Sequence, residues 1–275
     1  DPGLVEQRRD LLRAEGVIHR APYVESTPRH QTSGSFAELG LSDPVLDLFG
    51  TIAKDSAKGS RLIHDPPYIH QARAVEAALV KRKSLVVMTG TGSGKTECFL
   101  LPILGKLAEE AAAPRSPFGK TDAMRAVVLY PMNALVNDQL GRLRLLFGDK
   151  RVVGKFMEWS GRPARFARYT SRTLYPGVRT AKRDQQRLRP IGKYFVEILD
   201  KAHASDPDPQ ALILLEALQT KGKWPAKPDL SAWYGRPGTH WMDAKTHLFK
   251  RANTLPEDAE LLTRHEVHDA PPDVL

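Results

Sequence analysis

The sequence predicts an α/β fold: a parallel sheet with helices on both faces, a small N-terminal helical region and a long basic insertion. Three observations carry this. Apolar runs of strand length, Leu85-Val86-Val87-Met88 and Ala126-Val127-Val128-Leu129-Tyr130, alternate with longer segments of helical period. A glycine-rich turn, Gly90-Thr91-Gly92-Ser93-Gly94-Lys95-Thr96, joins the first run to the helix that follows it. After residue 160 the alternation fails, and the chain becomes basic and rich in turn-forming residues.

Taken in order, Leu4 to Ala14 has amphipathic helical spacing, and so does Pro44 to Ile52, with Val45, Leu46, Leu48 and Phe49. Pro66-Pro67 punctuates the chain. Tyr68 to Val80 predicts a helix, because Ile69, Ala72, Val75, Ala78 and Leu79 share one face. Leu85 to Met88 predicts a buried strand, and Thr96 to Glu110 a helix that contains Pro102. Ala126 to Tyr130 predicts a second strand, Asn133 to Phe147 a helix, and Val152-Val153 the start of a third strand. Ile191 to His203 and Gln210 to Gln219 read as helices, as does Pro256 to His265, with proline at its start and acids in its first turn. The resulting division is 1–60 as an N-terminal accessory region, 61–158 as the α/β core, 159–264 as the basic insertion and 265–275 as the return to the sheet.

Hydrophobic residues make up 41% of the 275 and charged residues 27%, the balance of a soluble globular protein. No apolar run reaches the roughly 18 residues of a membrane span, and no signal-peptide pattern opens the chain. No membrane contact and a cytoplasmic location are therefore expected. The single cysteine, Cys98, excludes an internal disulfide framework and is expected to pack in the helix after the turn. The chain opens on Asp1 and closes on Pro271-Pro272-Asp273-Val274-Leu275, the pattern of a strand beginning, so part of a longer polypeptide is expected.

Net charge is +9, and residues 151–193 hold 12 basic side chains against Glu158 and Asp184. The remainder of the chain is close to neutral. Phe156, Trp159, Phe166, Tyr169 and Tyr175 are interleaved with the basic residues. Basic groups pair with phosphates and aromatic faces stack on unpaired bases, so this segment points to nucleic acid. A solvated basic loop, or a surface for an acidic protein, has the same composition.

The turn names a ligand. Gly90, Gly92 and Gly94 let the backbone bring N–H groups close to phosphate oxygens, and the helix beginning near Lys95 adds its positive end. Lys95 can reach the β- and γ-phosphates, and the Thr96 hydroxyl suits Mg²⁺. Thr89 stands where the generic pattern has its first glycine. The alternative is a Gly/Ser connection without a ligand.

Three segments line up: Tyr68-Ile69-His70-Gln71, the turn itself, and Tyr130-Pro131-Met132-Asn133-Ala134-Leu135 with Gln139. Their order and spacing resemble the first RecA-like domain of a superfamily 2 DEAD/DEAH-box helicase. The resemblance implies that Gln71 reads adenine and that Thr91, Gly92, Ser93, Gly94, Lys95 and Thr96 hold ATP with Mg²⁺. It also implies that Pro131, Asn133 and Gln139 lie on the nucleic-acid backbone. Met132 and Asn133 replace the family's usual threonine and basic residue, which leaves backbone N–H groups as donors; Asn133 otherwise reads as a helix N-cap. Arg168-Tyr169-Thr170-Ser171 resembles the motif Ib region, and Arg162, Arg165, Arg168, Tyr169 and Arg172 are the expected nucleic-acid residues of the basic segment. The runs Pro66 to Leu79, Thr89 to Leu104 and Leu129 to Leu143 look closest to the Lhr/YprA-like bacterial helicases, several of which belong to antiphage systems of the DISARM and Druantia type. Implied partners are DNA with a single-stranded region, further helicase domains and other defence subunits.

A helicase also needs an Asp–Glu pair to hold Mg²⁺ and orient water. Asp200-Lys201-Ala202-His203 has lysine where that glutamate belongs and falls at helical spacing, so it reads as coincidence; the acidic motif is expected beyond Leu275. On that expectation the isolated chain binds nucleotide and turns over little of it. His265-Glu266-Val267-His268 lacks the spacing of a zinc helix and reads as a polar helix end. Two other readings keep the loop: a nucleotide-switched module whose basic segment docks a protein, and a kinase, which explains neither Gln71 nor the Pro131 to Gln139 segment.

Overall fold

Helix boundaries follow the caps and apolar spacing of the sequence. The computed structural model describes residues 2–18, 30–55, 61–90, 92–171, 173, 194–228 and 254–275. Two compact units are present, residues 1–31 and 32–275. The first contains α1 (Pro2–Arg13), none of whose side chains is buried.

The second unit begins with a 3₁₀ turn, Phe36–Leu39, closed by a capping box between Ser35 and Glu38. Helix α2 (Asp43–Ile52) buries Val45, Leu48, Phe49 and Ile52, spaced three or four residues apart or adjacent on one face. Helix α3 (Ile69–Val75) continues through a π turn, Glu76–Val80. Helix α4 (Glu97–Ala112) is the hub of the core. It buries Cys98, Leu100, Leu101, Leu104, Leu107, Ala108 and Ala111, more than one stripe, because α2, α3 and α6 pack around it. Gly105 permits close approach to α3's continuation: a Cβ there would meet Leu79 Cδ1 at 2.5 Å. Pro102 sits inside α4, which continues past it to Ala112.

Helix α5 (Asn133–Phe147) buries Leu140, Leu143, Leu146 and Phe147. Helix α6 (Lys150–Ser160) corrects the third strand expected at Val152-Val153. The Asp149 carboxylate caps it by accepting from Arg151 N at 2.8 Å, and Val152 and Phe156 fall one helical turn apart on its buried face. A cap and an i, i+4 pair outweigh the β preference of two valines. Helices through residues 194–202 (α7) and Pro209–Thr220 (α8) form a satellite core of Ile198, Ala202, Ala211 and Leu215. Asp200 thus lies on a helix, as its spacing indicates.

The sheet is parallel and small. Strand β1 (Phe166–Ala167) pairs with β2 (Glu260–Leu261), in register Phe166 with Glu260. Val274 bridges both Ala126 and Phe166, so four segments lie side by side in the order 126, 274, 166, 260. Leu275 N donates to Ala126 O, and Val128 N to Leu275 O. The two expected strands are only partly realised. Leu129 and Tyr130 lie beyond that pairing, with Leu129 86% exposed. Residues 84–88 have no strand partner among the described residues, and Val86 and Met88 are 89% and 87% exposed. The helix expected from Pro256 to His265 is replaced by a turn, by β2, and by a short helix α9 (Arg264–Asp269) behind a Thr263–Glu266 capping box.

Buried charge ties the C-terminal segment to this frame. The Asp273 carboxylate is fully buried and accepts from Arg125 at 2.7 Å, from Arg162 at 2.7 and 3.0 Å, and from the Arg165 backbone N–H at 2.7 Å. The Arg125 and Arg162 guanidiniums both lie over the Phe118 ring, 4.5 and 4.3 Å from its centroid. In a second node, Lys227 donates to Asp258 at 2.6 Å and pairs with Glu266 at 2.9 Å. In a third, Arg144 makes a two-pronged pair with Glu260 at 2.7 and 2.8 Å.

Candidate nucleotide and nucleic-acid site

The glycine-rich turn has the backbone geometry that its residues dictate. Gly92 and Gly94 take φ of +76° and +78°, the left-handed region that glycine enters without steric cost. Such a turn aims successive N–H groups inward, and α4 begins at Glu97 directly after it. Ser93 is buried, its hydroxyl 2.7 Å from that of Thr89. The Thr96 hydroxyl makes no cap bond to α4. Lys95 is exposed and curls back over the loop, donating to Thr89 O at 2.8 Å and Gly90 O at 2.6 Å. Its ammonium is held at the mouth of the turn by neutral acceptors, which a phosphate would outcompete. The residues present therefore fit a nucleoside triphosphate with Mg²⁺. Thr91 lies outside the described residues.

Helix α3 fastens this loop. His70 Nε2 lies 2.8 Å from Ser93 O, and Gln71 Nε2 donates to Gly94 O at 3.1 Å. The Gln71 carbonyl accepts from Tyr68 N at 3.0 Å, so both ends of the buried amide are engaged by the chain. The structure gives Gln71 the work of a loop anchor, where the resemblance implies adenine reading. A Cβ on Gly94 would meet Gln71 Nε2 at 2.5 Å and Glu97 Oε2 at 3.1 Å. His70 was not singled out by the sequence; its signal was its place beside Gln71. Glu97 connects the loop to α5, accepting from Arg142 at 3.1 Å. Burial, with a contribution from Glu97, pushes the Cys98 thiol up, as suits a packing residue.

The expected nucleic-acid residues separate into two groups. Pro131 and Asn133 are exposed at the start of α5, where Met132 is the N-cap and makes no side-chain cap bond. Asn133 is thus the first helical residue, not the cap, and the first N–H groups of α5 stay free of a side-chain acceptor at that position. Arg168 lies nearby, with Nη1 2.5 Å from Asn137 Oδ1 on the same helix. Tyr169 is 42% exposed. Arg172 lies outside the described residues.

Arg162 and Arg165 are corrections. They are 5% and 8% exposed. Arg162 is spent on Asp273, Phe118 O and Pro163 O, and Arg165 on Asp122 at 2.9 Å. Arg162 neutralises the buried Asp273, and Arg165 is itself buried against the more exposed Asp122, so neither guanidinium faces a solvent phosphate. Phe156 and Phe166 are likewise core residues, buried completely, and stack on no base. Gln139 is half-buried; its amide nitrogen donates to Asp138 at 3.3 Å, and its buried oxygen has no partner among the described residues. It lines a cavity of about 200 Å³ with Phe99, Tyr130 and Leu143, and burial pushes the Tyr130 phenol up. Among the described residues no group of three or more His, Cys, Asp or Glu is placed to hold a metal, and Glu266 is turned to Lys227. Among them also, no helix is long and apolar enough to cross a membrane.

Comparison with known proteins agrees with this layout. Residues 68–214 match the model of the family described as DEAD/DEAH box helicase. The whole chain is 39% identical to the Druantia protein DruE of Escherichia coli (strain UMEA 4076-1), and it spans 15% of that protein's length. A stretch covering 35% of the chain is 31% identical to the uncharacterized ATP-dependent helicase YprA of Bacillus subtilis (strain 168), over 11% of that protein. Half of the chain is 31% identical to the ATP-dependent RNA helicase DBP7 of Meyerozyma guilliermondii, over 17% of its length. No solved structure matches. The match begins at Tyr68, takes in the loop, its Gln71 anchor and α5, and spans more than half of the residues: the chain belongs to the DEAD/DEAH box helicase family.

Proposed function

We propose that this chain forms the nucleotide-binding part of an ATP-dependent DNA helicase or translocase that acts in bacterial antiphage defence. The observation that carries the reading is the loop: two left-handed glycines, a lysine held at its mouth and a following helix, fastened to α3 by His70 and Gln71. ATP supplies the free energy of phosphoryl transfer when bound. The N–H groups of the Gly92 to Lys95 turn take its phosphate oxygens, Lys95 leaves its carbonyl acceptors for the terminal phosphates, and the Thr96 hydroxyl holds Mg²⁺. Nucleic-acid backbone lies against the exposed start of α5 at Pro131 and Asn133, with Arg168 beside it. The defence role rests on the similarity to the Druantia protein along the whole chain, and the choice of DNA is part of the proposal itself, since another relative is named an RNA helicase. The acidic motif and a second domain's arginine complete turnover, and further helicase domains and defence subunits are the partners.

The test is binding of a fluorescent ATP analogue with Mg²⁺. Lys95→Ala removes a charge-assisted bond and is expected to weaken binding about tenfold or more. Equal affinity of variant and wild type contradicts the reading. A second reading, a nucleotide-switched docking module, is favoured by the internal use of Arg162 and Arg165, which leaves less charge for phosphates. Oligonucleotide binding that falls steeply with salt decides for the first.

A further inference from the structure

Helix α9 was assigned no role by the sequence beyond that of a polar helix end. It carries two side chains to Tyr169. The His268 ring lies within 19° of parallel to the Tyr169 ring, centroids 5.8 Å apart, and its Nε2 is 3.0 Å from the Tyr169 hydroxyl. The Arg264 guanidinium lies over the Tyr169 ring at 5.0 Å and donates to Thr170 O at 2.7 Å. The ring pair is therefore fixed at one edge by a hydrogen bond and backed by a cation. It is nonetheless open: Tyr169 is 42% exposed, and His268 is exposed. Among the described residues Arg264 Nε is a buried donor with no acceptor, a group that costs stability until an oxygen reaches it. The neighbouring carboxylate in sequence, Asp269, is itself engaged, and Glu266 is buried on Lys227.

This cluster adjoins the start of α5. Asn133 and Asn137 are four residues apart on that helix and so share a face, and Arg168, next to Tyr169 in the chain, bonds Asn137. Exposed helix-end donors, a guanidinium and an ordered aromatic pair thus follow one another along one surface. Phosphates fit the first two, and the flat face of an unpaired base fits the third, since base stacking on an aromatic is tolerant of sequence. We propose that Tyr169, His268 and Arg264 form the base-stacking end of a single-stranded nucleic-acid track that starts at Pro131 and Asn133. The proposal rests on the nucleic-acid reading above and adds α9 to it.

The experiment is binding of a fluorescent oligothymidylate to the full-length protein across a salt series. His268→Ala is expected to raise Kd on the order of tenfold with little change in salt slope, because it removes a stacking face and no phosphate contact. His268→Phe restores affinity. Arg264→Ala is expected to raise Kd and lower the salt slope by about one. Wild-type binding with His268→Ala and Arg264→Ala unchanged overturns this inference alone. No binding by wild type overturns the nucleic-acid reading and this inference with it. Competition by polyglutamate as effective as by oligothymidylate, and equally sensitive to His268→Ala, overturns the choice of nucleic acid and assigns the surface to an acidic protein.

Discussion

Gly94 shows how closely the loop depends on single atoms. Its φ of +78° costs any other residue about 1–2 kcal/mol, and an added Cβ would displace the Gln71 amide that holds Gly94 O. Gly94→Ala is expected to lower Tm by several degrees and to weaken nucleotide binding, measured by thermal unfolding with and without Mg-ATP. Arg162 and Arg168 make the opposite pair. Arg162→Met leaves the buried Asp273 short of a partner, and about 3 kcal/mol of stability is expected to go, read from urea unfolding. Arg168→Ala is expected to leave stability nearly unchanged and to reduce the salt slope of oligonucleotide binding by about one. Composition groups these arginines because it counts charge without its partner. Asp273 lies 111 residues from Arg162 along the chain, and no local pattern reveals that pairing.

At the scale of elements, helices with strong apolar spacing were legible: α2, α3, α4, α5 and α8 lie within a few residues of their expected bounds. The errors fell where local signals were short. Val152-Val153 resembled a strand until the Asp149 cap and Phe156 are placed on one helix. Pro256 to His265 contained a true helix start, Thr263 with Glu266, seven residues later than the proline that seemed to mark it. The buried node beside that start makes a pH prediction. Burial pushes the Asp258 carboxyl above the ordinary 3.8, against the pull of Lys227. A carboxyl raised on folding binds its proton more tightly in the folded state, so its contribution to stability falls as pH rises through the folded value. Asp258→Asn, which leaves Glu266 to pair Lys227, is expected to be no less stable than wild type at neutral pH. Wild type is expected to gain on the variant as pH falls through the mildly acidic range, measured by urea unfolding at each pH.

For the molecule as a whole, the core organised by α4 and the parallel pairing around Val274 hold the loop, α5 and α9 in one frame. The α/β class was legible because strand-length and helix-length runs alternate up to residue 147. The extent of the sheet was not, because pairing is a long-range property: apolar runs at 85–88 and 127–129 read as buried strands, yet Val86, Met88 and Leu129 face solvent. Exposed apolar side chains of this kind favour association between copies. The chain at high concentration is expected to self-associate in size-exclusion chromatography, and Val86→Lys with Leu129→Lys to reduce it. The loop was the most legible part of the site, since glycine positions, lysine and helix start are all local. Its anchoring by His70 and Gln71 was not legible, since the resemblance implies adenine reading for Gln71 and gives His70 no role.

The most direct measurement is DNA-stimulated ATPase activity of the full-length protein, wild type against Lys95→Ala. The expected result is turnover that rises on adding single-stranded DNA in the wild type and falls to background in the variant. Undiminished DNA-stimulated turnover in Lys95→Ala would contradict the assignment of the Gly92 to Thr96 loop as the seat of ATP, and with it the reading of this chain as part of a motor.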